Sequence, residues 1–234
     1  MTALAEVLAR PDIWRGDRCA EAPLPTVSSG FVALDAELPG GGWPRGALTE
    51  LLVDGFGAGE MSLLIPALAG VRGTGGWSLL VAPPHPLHAP AWAGSGIDLA
   101  RLAIVSPASE RDALWAMEQA LLSGAPRLVV GWAPYADARA LRRLQVAAVE
   151  GGALAFLFRP LRAAAEASAA PLRLMLAAGG SRLSVQILKR RGPPATMPLA
   201  LTMTRPVRLS RPEYPERHEH PVVGHQASRC AAIV

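Results

Sequence analysis

The sequence predicts an α/β fold in which a largely parallel, twisted sheet is flanked by helices on both faces and ends in a C-terminal strand meander. Three observations lead there. Short apolar runs alternate with stretches of helical periodicity along most of the chain. Half of the 234 residues are hydrophobic, enough for one sizeable core. Between Leu48 and Leu68 an apolar run meets a glycine-rich turn and then an apolar, helix-like stretch.

Taken in order, residues 2–10 place Leu4, Val7 and Leu8 at i, i+3 and i+4, the spacing of a short amphipathic helix that ends before Pro11. A helix this short needs a surface to lie on, either its own core or a partner. With a Pro-containing linker it makes an N-terminal unit, residues 1–25, ahead of a core at 26–204. That core opens with a polar turn, a short apolar stretch and a glycine cluster leading into the central strand. Residues 77–82 and 102–105 read as short apolar strands and 128–132 as a buried strand. Residues 110–122 read as a helix with Ala113, Leu114, Met117, Ala120 and Leu121 inward. A second helix, 136–149, is apolar at Ala140, Leu141, Leu144, Val146 and Ala147, with Arg139, Arg142 and Arg143 on its wet side. Residues 153–158, 172–177, 183–188 and 197–203 read as strands, and the alanine-rich interval 161–170 as a short helix. Residues 205–234, proline-rich, charged and aperiodic, are expected to form a disordered tail.

The glycine-rich turn has the layout of a phosphate-binding loop without its chemistry. In G-x-x-x-x-G-K-[ST], backbone N–H groups cradle phosphate, the lysine reaches the β and γ oxygens and the hydroxyl holds Mg²⁺. Here the run Asp54-Gly55-Phe56-Gly57-Ala58-Gly59-Glu60-Met61 puts Asp54 at the first glycine, Glu60 at the lysine and Met61 at the hydroxyl. Each change removes a phosphate contact or adds repulsion. The one lysine of the chain is Lys189, far downstream. A plain strand-to-helix connection would need the same small residues.

The net charge of +4 comes almost entirely from arginine and points mildly to an acidic partner, protein or nucleic acid. Arg139, Arg142 and Arg143 make either a solvated helix face or a basic patch. Cys19 and Cys230 lack the spacing of a zinc site or a disulfide framework, and a cytoplasmic location fits best. No leader and no membrane span are read. His85, His88, His218, His220 and His225 have no acidic or cysteine companions at ligand spacing, so neither a metal nor a cofactor is expected. No serine sits in a nucleophile-elbow context.

The order Ser29-Gly30, Leu34-Asp35, Gly40-Gly41-Gly42, Pro44, Gly46 and then the central strand resembles the entry to the core of RecA recombinases. Gly59-Glu60, the strand end Val129-Val130-Gly131-Trp132, Phe158-Arg159-Pro160 and Lys189-Arg190-Arg191-Gly192-Pro193 resemble the ImuA family, with the SulA cell-division inhibitors more distant. The resemblance covers residues 26–204 and implies a RecA-like (P-loop NTPase-type) core. Gly131-Trp132 stand where that superfamily carries a magnesium-side acid, and Pro84 stands at or beside the place of its catalytic glutamate. Arg159-Pro160 stand near its γ-phosphate-sensing glutamine, and 161–170 replaces its long DNA-binding loop.

What the resemblance implies is a pseudo-ATPase: a non-catalytic adaptor in an SOS-induced translesion DNA synthesis complex. Its implied partners are an ImuB-type polymerase-like protein, an error-prone replicative-type DNA polymerase reached through the complex, RecA, and DNA through a weak contact. Lys189 and Arg191 match a pair of cations that in RecA filaments reaches a neighbour's ATP, with Arg190 facing the other way; a solvated patch or a DNA contact is the alternative. Leu4, Val7, Leu8, Lys189, Arg190 and Arg191 are therefore the candidate partner-binding residues. The alternatives in function are a SulA-like inhibitor acting on FtsZ and a weakly active RecA-like ATPase.

Overall fold

The run that the sequence marks as central forms the strand on which the sheet is built. β3 (Ala47–Val53) is buried along its whole length, as a strand covered on both faces requires. The structure, a computed structural model, describes residues 25–55, 59–179, 182–195 and 197–203. The N-terminal helix with Leu4, Val7 and Leu8, both cysteines, Gly57 and the C-terminal tail lie outside the described residues.

Ahead of β3 a two-stranded antiparallel ribbon pairs β1 (Thr26–Val27) with β2 (Trp43–Pro44). After it come β4 (Trp77–Val81), β5 (Leu102–Val105), β6 (Pro126–Trp132), β7 (Leu154–Pro160), β8 (Leu172–Gly179), β9 (Arg182–Lys189) and β10 (Leu199–Thr202). The main sheet has eight strands in the order β10-β9-β8-β3-β7-β6-β4-β5. The six from β8 to β5 run parallel, whereas β9 and β10 join antiparallel at one edge. This is the mixed α/β, mostly parallel architecture expected from the alternation of runs.

Two helical layers cover the sheet. On one face lie α1 (Val32–Glu37) and α2 (Ile65–Gly70), with α3 (Ala89–Gly94) beside them; Leu34, Leu63, Leu64 and Leu68 meet Leu51, Val130, Phe156 and Leu174 there. On the other face lie α4 (Glu110–Leu122) and α5 (Ala138–Gly151), whose Met117, Leu121, Leu141 and Leu144 pack on Leu48, Val129 and Leu157. Both long helices begin on a side-chain cap. Ser109 Oγ accepts from Asp112 N at 3.2 Å and Asp137 Oδ1 from Ala140 N at 2.7 Å, each satisfying an amide that has no carbonyl four residues back.

Three local expectations change. The stretch after the glycine turn is not one helix: a 3-10 helix, Glu60–Leu63, precedes the six-residue α2, and a second 3-10 turn, Val71–Thr74, follows. Pro66 stands in the first turn of α2, where its missing N–H does no harm, but further inside it would interrupt the bonding ladder. Val146 does not face the core. At about 100° per residue it lies some 140° round from Leu141, and it is 56% exposed. Arg143, on the wet side as read, is engaged with Glu118 of α4 and acts as a strut between the helices. Sequence reading missed α1, which Asp35 holds in place: its carboxylate accepts from Ser28 Oγ at 2.6 Å and from Ser29 N at 2.8 Å.

The two long helices touch at α5's last residue, where a Cβ on Gly151 would stand 1.8 Å from Leu121 O. Because a backbone carbonyl cannot turn aside as a side chain can, Gly151→Ala is expected to destabilise the fold by about 2–3 kcal/mol. A urea unfolding midpoint unchanged from wild type would show that the helices can move apart there.

Candidate functional site

The sequence-predicted loop lies where β3 ends. Asp54 and Gly55 are exposed, Gly59 has a φ of +100°, and Glu60, 6% exposed, starts the 3-10 helix. Met61 packs against the core below. A pocket of about 370 Å³ opens here, lined by Val53, Asp54, Gly55, Glu60, Leu176 and Leu183. Among the described residues its charged lining is Asp54 and Glu60, with no lysine or arginine. The four-residue 3-10 helix also lacks the stacked amide dipoles that an α-helix would aim at an anion.

Neighbouring strand ends have been turned to packing. A Cβ on Gly131, at the end of β6, would come within 2.6 Å of Met117 Sδ and 3.5 Å of Leu157 Cδ1, so the core occupies the space a side chain would need. Beyond β4, Ala82 holds a left-handed φ of +56°, unusual for a residue with a Cβ, immediately before Pro83-Pro84. His88 caps α3, its Nδ1 accepting from Ala91 N at 3.3 Å. Among the described residues no three His, Cys, Asp or Glu side chains converge as they would around a metal ion. No described helix is long and apolar enough to cross a membrane.

The chemistry that sequence reading missed is a buried ionic cluster beneath these strand ends. Glu50, in the middle of β3, is fully buried. Its Oε1 accepts from Arg159 Nη1 of β7 at 2.9 Å and its Oε2 from Arg173 Nε of β8 at 2.6 Å. Arg159, 1% exposed, continues to Ala136 O and to Glu166 Oε2, both at 2.7 Å. Arg173 donates to the carbonyls of Ala163 at 2.7 Å and Glu166 at 3.2 Å. The interval between β7 and β8, a 3-10 helix (Leu161–Ala165) and its exit, is thereby fastened to the sheet. Lys189 Nζ adds a bond to Ser168 O at 2.9 Å. The signal in the sequence was a glutamate inside one apolar run and arginines inside two others, since buried charges need opposite partners.

The basic cluster lies at the other end of the strands. Lys189 pairs in register with Arg173 near the start of β8, whereas the loop follows β3's end at Val53, which pairs with Leu176. Arg190 is held by Glu37 at the end of α1 and by Pro193 O at 2.7 Å. Arg191 is exposed. Within one chain, therefore, Asp54, Glu60 and Met61 form one site and Lys189, Arg190 and Arg191 another. Arg139 and Arg142 stay on the solvated side of α5.

A parallel sheet with helices on both faces, entered through a serine-glycine turn and carrying a glycine turn after its central strand, defines a RecA-related α/β domain. Comparison with known proteins agrees. The family model described as cell division inhibitor SulA matches residues 46–155. The chain is 30% identical over 127 residues to the cell division inhibitor SulA of Serratia proteamaculans, covering 54% of this chain and 76% of that protein. It is 34% identical over 111 residues to SulA of Photorhabdus laumondii, covering 47% of this chain and 63% of that one. To RecA of Chlorobaculum parvum it is 34% identical over 119 residues, 49% of this chain and 33% of that protein. The chain belongs to the SulA family, within a wider group related to RecA.

Two outcomes test the cluster and its surroundings. Glu50→Gln leaves two buried guanidinium groups facing a neutral amide and is expected to cost about 3–5 kcal/mol; an unfolding free energy within 1 kcal/mol of wild type, judged against that scale, would deny the cluster its structural role. The second concerns Glu110 at the start of α4. Burial pushes its carboxyl above the ordinary 4.5, countered in part by the Tyr135 N–H it accepts and by the charge of Arg159. A raised folded-state value means that the folded protein holds this proton more tightly than the unfolded one, so stability is lost as pH rises from the unfolded value through the folded one. Glu110→Gln should therefore gain stability relative to wild type as pH rises above 4.5. Parallel pH profiles of the two melting temperatures would contradict this.

Proposed function

We propose that this chain is a non-catalytic RecA-like adaptor of the ImuA type. It acts in the cytoplasm within an SOS-induced translesion DNA synthesis complex and binds an ImuB-type polymerase-like protein, RecA, or both. An error-prone replicative-type polymerase is reached through the complex, and contact with DNA is weak. The observation that carries the non-catalytic part is the loop position, where Glu60, Met61 and a 3-10 turn stand in place of a lysine, a hydroxyl and a helix. The fastened 161–170 interval supports the weak contact with DNA. Its carbonyls are bound by Arg173 and Lys189, which leaves little slack for a segment meant to wrap a nucleic-acid strand. RecA is a natural partner because this chain is 34% identical to a RecA over 119 residues, and Arg191 is exposed at the basic end.

A second reading is favoured by a specific finding, the SulA family match at residues 46–155. On that reading the same protein-binding domain is a division inhibitor acting on FtsZ. The two separate in cells and in solution. An adaptor is captured with the polymerase-like protein from DNA-damaged cells, and its overproduction leaves cell length unchanged. An inhibitor produces filamentous cells, and the purified chain blocks FtsZ assembly.

Nucleotide affinity tests what both readings share. ATP is expected to bind more weakly than millimolar, corresponding to less than about 4 kcal/mol, with no hydrolysis; a micromolar dissociation constant by calorimetry would restore the ATPase reading. For the RecA contact, charge-assisted bonds to phosphate contribute about 1.5–3 kcal/mol each. Lys189→Ala with Arg191→Ala should therefore weaken binding to ATP-loaded RecA filaments at least tenfold. Equal binding by wild type and double variant would remove this surface from the RecA interface.

A further inference from the structure

At the basic end of the sheet, where the parallel strands begin, a pocket of about 220 Å³ lies between the start of β3 and α5. Ligands of open α/β sheets sit outside the carboxyl ends of the strands, so this cavity is separate from the glycine loop. Pro44, Val149, Pro171 and Leu172 give it apolar walls, and its polar side chains are Arg45, Gln145, Arg190 and Arg191.

What these four offer a ligand is donors. A guanidinium has no acceptor, and the oxygen of Gln145 already takes Leu48 N at 2.8 Å. Arg190 is held by Glu37 and by Pro193 O. Arg45 and Arg191 have no ion-pair partner among the described residues, and Arg45 Nε is buried without a hydrogen-bond partner among them. Buried donors are nearly always satisfied, and no carboxylate lines the pocket. The chemistry therefore calls for an anionic acceptor from outside.

Size and walls narrow the ligand further. The cavity is smaller than the roughly 300–1,000 Å³ of pockets that enclose a whole small molecule, and it suits one apolar side chain. A bare phosphate would leave the apolar walls uncovered. A nucleic-acid base would find no aromatic ring to stack on, since none lines the pocket. Val149 is 60% exposed and Val146, one turn back on α5, 56%, so the apolar surface continues along the helix beyond the cavity. The walls are also pre-formed: Gly46 N donates to Ala153 O at 3.0 Å, and Gln145 ties α5 to the start of β3. Little ordering then opposes binding.

We propose that this pocket binds an acidic peptide segment of a partner protein. One apolar side chain of the segment sits between Pro44, Val149 and Pro171, and flanking carboxylates meet Arg45 and Arg191. The proposal rests on the pocket and on neither reading of function, so binding to RecA can fail its test while peptide binding stands.

A random heptapeptide library on phage, depleted on Val149→Asp and then selected on the wild-type full chain, supplies the probe. Enriched sequences should carry an aliphatic or aromatic residue beside aspartate or glutamate. The best of them, labelled with fluorescein, is then titrated by anisotropy. Arg45→Met removes the unpartnered donor at nearly constant length, so it should keep the melting temperature and weaken the peptide about tenfold or more. Val149→Asp, at an exposed position, should weaken it as much by setting a carboxylate in the wall. No enrichment, enriched sequences without acidic residues, or an affinity that either variant leaves within about twofold of wild type overturns the proposal. A melting temperature lowered by Arg45→Met would give that side chain a structural role and overturn it too. So would a single-stranded oligonucleotide that binds the chain and is lost with Arg45→Met, because nucleic acid would then be the ligand.

Discussion

A carboxylate with no access to water, placed in the middle of the central strand, constrains everything around it. A buried carboxylate without compensating cations is costly, and Arg159 on β7 and Arg173 on β8 bring a guanidinium to Glu50 from both neighbouring strands. Such a cluster contributes little net stability, because desolvation offsets most of the attraction. Its effect is on specificity. A one-residue slip of β7 or β8 against β3 would turn the arginine to the opposite face and strand the glutamate. The same two arginines reach past Glu50 to the carbonyls and the carboxylate of the segment between β7 and β8, so the requirement that sets strand register also shapes the loop above it.

That coupling bears on the glycine loop nearby. In a phosphate-handling sheet the strand ends must keep room and cations for a ligand. Here Met61 turns to the core, Met117 occupies the space beside Gly131, and the first turn after the loop is a 3-10 helix that ends within one turn. Each substitution alone could be a local accident. Together they give the residues around the loop to hydrophobic packing, and the acidic pocket between β3, β8 and β9 is what remains open.

The opposite end of the sheet has a different character. Prolines, exposed valines and arginines gather where the chain enters β2 and β3 and leaves β9, an apolar and cationic composition of the kind found at recognition surfaces. Lys189 and Arg190 are tied to backbone and to Glu37, which holds Arg191 on a short rigid platform. The SulA match, 46–155, spans the central strand and the α4–α5 layer but stops before β8; Lys189 at the end of β9, with Arg190 and Arg191 after it, lies outside the match.

Alternation of apolar runs with helical periodicity was enough to read the parallel sheet, and β5 and α4 begin and end where the sequence placed them. The order of small residues from Ser29 to Gly46 pointed to the RecA-related entry, because turns and close approaches demand particular residue types locally. The departure from the phosphate-binding motif at Glu60 and Met61 was equally plain, since a motif is a local property. What depends on distant partners was not legible. The helical phase that leaves Val146 in solvent, the strut from Arg143 to Glu118, and the meeting of Glu50 with residues 109 and 123 positions away exist only once the strands lie side by side. The sequence by itself determined most of the elements and the loop's departure from the phosphate-binding motif, both of which follow from short-range pattern. Only the tertiary structure decided where the charges meet and which apolar faces stay uncovered, because both depend on strand order and register.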